Sequence, residues 1–146
     1  MDKAGIYAFM AGFRYGVVSS LSAEGRPQSA LVGVATTADL EVVFDTVRSS
    51  RKYPNLRERR WSSLVVGWGG EQTVQLEGEA IEPEGAELER CREAYFSVWP
   101  DGRDRLKWPG ITHFLVRPRW VRFSDFDQNP PLIVELTFDS QECGWR

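Results

Sequence analysis

Histidine is the scarcest chemistry-bearing residue in this chain: one, His113, in 146 residues. A zinc or di-metal centre built on imidazoles is therefore unsupported. A Ser-His-Asp arrangement also lacks its local signature, because no serine sits in a G-x-S-x-G elbow. Cysteine is almost as rare. Cys91 and Cys143 lie far apart and in no metal-ligand spacing, so neither a disulfide framework nor a zinc site is indicated, and reduced thiols in a cytoplasmic protein are the expectation. Long apolar runs are missing too, since nothing approaches the roughly 18–20 residues of a membrane-spanning helix. The apolar stretch at 6–13 is short, runs into Arg14 and lacks a small-x-small cleavage site, so it reads as a first helix within an N-terminal segment 1–14 and not as a signal peptide. An excess of basic charge is also absent. The net charge of −3 argues against nucleic acid as a partner, because such binders displace counterions with a basic surface.

What is present is ordinary globular composition: 42% hydrophobic and 27% charged residues, with six Trp and eight Phe to fill a core. The length suits one domain, here 1–146 with a C-terminal extension from 127. Residues 15–22 and 28–36 are rich in Val, Leu and small residues, and Glu24-Gly25-Arg26-Pro27 between them supplies turn chemistry, which predicts a hairpin. The stretch 40–46 alternates, with Leu40, Val42, Phe44 and Thr46 on one face, and extends the pair into a three-stranded meander. A helix opens near Pro54. Strand patterning resumes at 63–68 and 73–80 around Gly69-Gly70, and the period turns helical over 84–95. A last strand pair is expected at 111–117 and 120–124, joined across Pro118, with a further short strand at 132–138. Short strands, tight turns and two inserted helices predict a mainly β fold, an antiparallel barrel or sandwich. No G-x-G-x-x-G follows the first strand and no Gly-Lys-Ser/Thr loop exists, so a Rossmann or P-loop nucleotide site is excluded.

The chemistry concentrates between residues 48 and 60, where Arg48, Arg51, Lys52, Arg57, Arg59 and Arg60 face one acid, Glu58. Within it, Asp45-Thr46-Val47-Arg48-Ser49-Ser50-Arg51-Lys52 carries a strand end into a helix start, with hydroxyls and two adjacent cations. Hydroxyl donors, an arginine fork and a lysine point charge are what a phosphate requires. The alternative on charge alone is a helix cap followed by solvated basic residues. His113 falls in a predicted strand, where a structural role is the ordinary one.

The order of the Gly25-Arg26-Pro27-Gln28 hairpin, a strand ending Phe44-Asp45-Thr46, then Ser50-Arg51-Lys52, Asn55-Leu56 and Gly78-Glu79-Ala80 resembles the FMN-binding split-barrel superfamily of the pyridoxamine 5'-phosphate oxidases. The resemblance spans about 15–126. It implies a six-stranded antiparallel split β-barrel, a homodimer with its sites at the interface, and FMN as cofactor, with a deazaflavin coenzyme as the alternative in the same groove. It assigns the FMN phosphate to Thr46, Ser50, Arg51 and Lys52, with Asp45 beside them. It sets the flavin ring against the second strand at Ser29, Leu31, Val32, Gly33 and Val34, and brings Gln72 or Thr73 to the flavin. Ala30, Gly33 and Ala35 supply the small side chains that let a flat ring approach backbone. The sequence departs from the named oxidases where they carry an Arg and a Lys on the second strand, since Ser29 and Val34 stand there. Their C-terminal Arg-Leu-His substrate motif is also missing from 117–126. The resemblance thus implies a flavin-dependent oxidoreductase acting on a small molecule of another kind. A non-catalytic flavin- or haem-binding protein of the stress type, with His113 as haem ligand, is the reading from a different class.

Overall fold

The computed structural model describes residues 1–139, so Cys143 and the end of the expected C-terminal extension lie outside the described residues. Asp2 caps the first helix, α1 (Lys3–Ala11), its carboxylate accepting from the Gly5 amide at 2.9 Å. The hairpin follows as β1 (Tyr15–Leu21) and β2 (Pro27–Gly33), turned at Gly25, whose positive φ of 76° favours glycine. Then come β3 (Ala35–Thr36), β4 (Val42–Val47), α2 (Lys52–Glu58), β5 (Trp61–Gly69) and β6 (Gln72–Ile81). The chain continues through α3 (Gly85–Val98), α4 (Gly102–Arg105), β7 (Ile111–Asp125) and β8 (Leu132–Thr137). Pro54 occupies the third position of α2, still in the first turn, where an amide has no acceptor within the helix.

All strand pairs are antiparallel, in the order β2-β1-β5-β6-β7-β4-β3, with β8 also on β7. The sheet curls so that alternate residues from every long strand meet inside: Val18, Val32, Phe44, Leu64, Val74, Leu76, Phe114, Val121 and Phe123 form one core with Ile6 and Met10 of α1. This is the expected mainly β split barrel, with six strands as anticipated plus the two-residue β3 and the C-terminal β8. A second, smaller core of Val43, Leu115, Cys91, Tyr95 and Phe96 lies where α3 covers the outer side of β4 and β7. Among the described residues no helix is long and apolar enough to cross a membrane.

Two sequence expectations need correction. The meander does not form, because the stretch at 28–36 divides at Val34: among the described residues β2 pairs only with β1, whereas β3 pairs with β4 at the other end of the sheet. The cause is at Val34, whose buried side chain and bond to the Arg14 carbonyl turn the chain from one sheet end to the other. The last strand pair is likewise one strand. β7 runs unbroken through Pro118, with β6 along one edge and β4 then β8 along the other. Pro118 marks a register shift opposite Gly78, where a proline that cannot donate to the ladder is tolerated. Gly78 matches it from across the ladder, since a Cβ there would lie 2.0 Å from the Arg117 carbonyl oxygen.

Candidate cofactor site

The end of β4 and the start of α2 build the basic corner. Thr46, the last inward residue of β4, is buried, and its hydroxyl lies 3.0 Å from that of Ser50. Ser50 closes a tight turn by bonding its amide to the Val47 carbonyl at 2.9 Å. The Lys52 ammonium reaches back toward Thr46 Oγ1 at 3.5 Å. Among the described residues neither Lys52 nor Arg51 makes an ion pair. Lys52 is half-buried, and that burial lowers its pKa from the ordinary lysine value. A cation partly withdrawn from water with no carboxylate partner is an electrostatic debt that an anion would settle.

A cleft of about 180 Å³ opens beside that corner, lined by Val18, Ser20, Gln28, Ser29, Ala30, Arg51 and Lys52. Its two walls are tied together by Asn55. The buried Asn55 amide donates to Ser20 Oγ at 3.1 Å and to Gln28 Oε1 at 2.9 Å, fixing α2 against β1 and β2.

Among the described residues the far wall is an open strand edge. Because the Val34 amide bonds the Arg14 carbonyl, alternate residues Val32, Ala30 and Gln28 turn their backbone groups toward β1. Ser29, Leu31 and Gly33 then turn theirs toward the unpaired side of β2. The outward Ser29 and Leu31 side chains are exposed, whereas Val32 and Val34 bury theirs in the core, leaving only backbone at the surface.

The structure thus brings Ser29, Thr46, Ser50, Arg51 and Lys52 to one corner, with Leu31, Val32, Gly33 and Val34 along the strand leading away from it. Three of the expected residues sit elsewhere within the chain. Asp45 points to the opposite side of β4, where its carboxylate accepts from Arg105 Nε at 2.8 Å. Gln72 donates to Asp125 Oδ2 at 3.0 Å, a bond that holds the Asp125 carboxyl below its ordinary pKa, and Thr73 pairs with Ser124 beside it. Both lie at the far end of β6 from the row containing Ser29. His113 is buried beneath α3, edge-on to Tyr95 and Phe96, and neither ring nitrogen has a hydrogen-bond partner among the described residues. That burial pushes its pKa down to about 4, with Asp45 opposing and Arg92 and Arg105 adding to the shift.

A family model described as pyridoxamine 5'-phosphate oxidase matches residues 3–125. The chain belongs to that family. A pyridoxine/pyridoxamine 5'-phosphate oxidase of Cyanothece sp. is 32% identical over 92 residues, covering 62% of this chain and 41% of the relative. The chain therefore matches well under half the length of that oxidase. Among solved structures, a heme binding protein from Mycobacterium smegmatis superposes with a TM-score of 0.80 at 19% identity, over 94% of this chain and 58% of its own. A pyridoxamine 5'-phosphate oxidase-related FMN binding protein from Nostoc punctiforme gives 0.68 at 12% identity, over 95% and 97%. At these identities the two structures bear on the split-barrel fold, which they share with this member of the oxidase family.

Proposed function

We propose that this chain binds FMN, with the phosphate at Arg51, Lys52, Thr46 and Ser50 and the ring along the open edge of β2, and that it is a flavin-dependent oxidoreductase for a small molecule. The observation that carries the reading is the half-buried Lys52 on the wall of the cleft, which has no ion-pair partner among the described residues. The residues fit the group chemically. Two cations and two hydroxyls match a phosphate, and the backbone N–H and C=O groups of Leu31 and Gly33 on an unpaired edge match the donor and acceptor rim of an isoalloxazine. Bound FMN would supply two-electron redox chemistry, and the protein's part is to bind, orient and exclude water. The substrate is not a pyridoxine phosphate ester on this reading, since Ser29 and Val34 replace the second-strand cations and the Val34 side chain is buried. A deazaflavin coenzyme would use the same edge and corner, and the absorption spectrum of freshly purified protein distinguishes the two. Haem through His113 has no support in the geometry, because the imidazole is enclosed by α3.

The dimer belongs to the same reading. Gln72 and Thr73 cannot join the corner within one chain, whereas a second copy packed on the outer face of β2, β1 and β5 could bring its own pair there. The direct test of the corner is Arg51→Ala with Lys52→Ala. Each charge-assisted hydrogen bond contributes about 1.5–3 kcal/mol, so the FMN dissociation constant should rise by two orders of magnitude or more. The melting temperature of the FMN-free protein should barely move. Equal FMN affinity in the double variant and the parent would remove the assignment.

A further inference from the structure

The open edge of β2 does not run on indefinitely. At its end Trp99, the residue that terminates α3, folds back over the strand: its indole N–H donates to the Val34 carbonyl at 3.0 Å. The indole also fills the space beside Gly33, where an added Cβ would lie 2.8 Å from two of its ring carbons. Glycine is needed there for that close approach. The Arg14 guanidinium stacks on the indole at 4.2 Å while donating to the Val98 carbonyl at 2.9 Å, and Tyr15 meets it edge-on at 5.2 Å. A partly exposed tryptophan is thus fixed from three sides at one defined place on the strand.

That place is set by the register. Ser29, at the basic corner, and Gly33, under the indole, are four residues apart on one strand, about 13 Å at the usual rise of a β-strand. Between them lies Leu31, paired with Val17, so the outer surface passes from hydroxyls at Ser29 and Ser19 through an apolar middle to an aromatic end at Trp99 and Tyr15. A ligand anchored by its phosphate at the first end and carrying a flat ring on a chain of several carbons would reach the third.

We propose that Trp99 is the end wall of the flavin groove, in contact with the isoalloxazine, and that Arg14 is the positioning residue that holds it there. The proposal rests on the FMN reading above. It gives the last expected contact residues, Gly33 and Val34, a part in the wall as well: Gly33, whose backbone faces the ring's rim, also gives the indole room, and the Val34 carbonyl orients it.

The test is FMN titration of parent, Trp99→Phe and Arg14→Ala, read by flavin emission and by the position of the flavin absorption bands. An indole in contact with an excited flavin quenches it by electron donation, which phenylalanine cannot do. The parent should therefore bind FMN with strongly quenched emission, and Trp99→Phe should bind it with emission restored several-fold and shifted bands. Arg14→Ala should give an intermediate emission, because its indole is no longer held on one face. If parent and Trp99→Phe bind FMN with the same emission and the same bands, the wall is wrong and the cofactor site stands. If the parent binds no FMN, the cofactor site and the wall fall together. If Trp99→Phe loses FMN altogether, Trp99→Tyr, which keeps a larger ring and a polar tip, must recover binding with altered emission; its failure to do so would reduce Trp99 to a structural residue and overturn the contact.

Discussion

At the scale of single residues, the clearest departure from ordinary chemistry outside the cleft is His113. Its imidazole is 1% exposed, both nitrogens lack a hydrogen-bond partner among the described residues, and its pKa is pushed down to about 4. The groups facing it are Tyr95 and Phe96 of α3, with Asp45, Arg92 and Arg105 acting through charge. The native state holds it neutral, while an unfolded chain takes up its proton near the ordinary value of 6.5. Between those two values the unfolded state binds more protons, so stability is intact above about pH 6.5 and falls as the pH drops toward 4. The whole effect is at most about 3 kcal/mol, and with one histidine in the chain it has one origin. We expect His113→Phe, which keeps a ring between Tyr95 and Phe96, to flatten the dependence of the urea midpoint on pH between 6.5 and 5. Parallel pH profiles for variant and parent would show that His113 is not the group lost.

At the scale of elements, the cleft depends on how α2 is held against the first hairpin. Asn55 is the buried link, and its two bonds reach side chains that line the cleft, Ser20 and Gln28. Asn55→Ala strands both partners, which costs about 1–3 kcal/mol, and it loosens the helix that carries Lys52. The variant should lower the urea midpoint and weaken FMN together, whereas Lys52→Ala should weaken FMN alone; an Asn55→Ala protein of unchanged stability would contradict the link. Elements also show what the sequence made legible. The β1–β2 hairpin, the β5–β6 hairpin and the helix at 84–95 were readable because turn residues and apolar period agree locally, and the basic corner was readable because Thr46, Ser50, Arg51 and Lys52 are close in sequence. The continuity of β7 was not, since Pro118 reads as a turn unless one knows that Gly78 faces it across a bulge. α4 escaped because four residues carry too little period to detect. Trp99 over Gly33 and Asn55 between β1 and β2 escaped for a common reason: each joins segments far apart in sequence, and no local pattern announces such a contact.

At the scale of the whole molecule, one face of the sheet is unfinished. The outward side chains of β2, β1 and β5 include Leu31, Tyr15, Leu21, Trp61 and Val65, exposed by 63, 49, 37, 54 and 37%. Register gathers them into one patch, since Val17 pairs with both Leu31 and Val65. The neighbouring outward residues of β6, Gln75 and Glu77, are polar, so the patch has a rim. An apolar patch with a polar rim on a small domain marks an interaction surface. On the proposed FMN reading a second copy of this chain is the occupant that would complete the site, because Gln72 and Thr73 stand away from the corner of their own chain. Association would then cover the flavin edge, and FMN binding and dimer formation would be linked, each favouring the other by mass action. Val65→Glu with Trp61→Glu tests this without touching the corner or the wall. Both side chains are exposed in the single chain, so the fold should tolerate the change, whereas four added carboxylates across a two-fold interface should not be tolerated. In analytical ultracentrifugation at low micromolar concentration, the parent should sediment as a dimer that FMN stabilises further. The double variant should sediment as a folded monomer that has lost most of its FMN affinity. A parent that stays monomeric while holding FMN tightly, or a double variant that keeps both the dimer and the cofactor, would place the interface elsewhere or remove it.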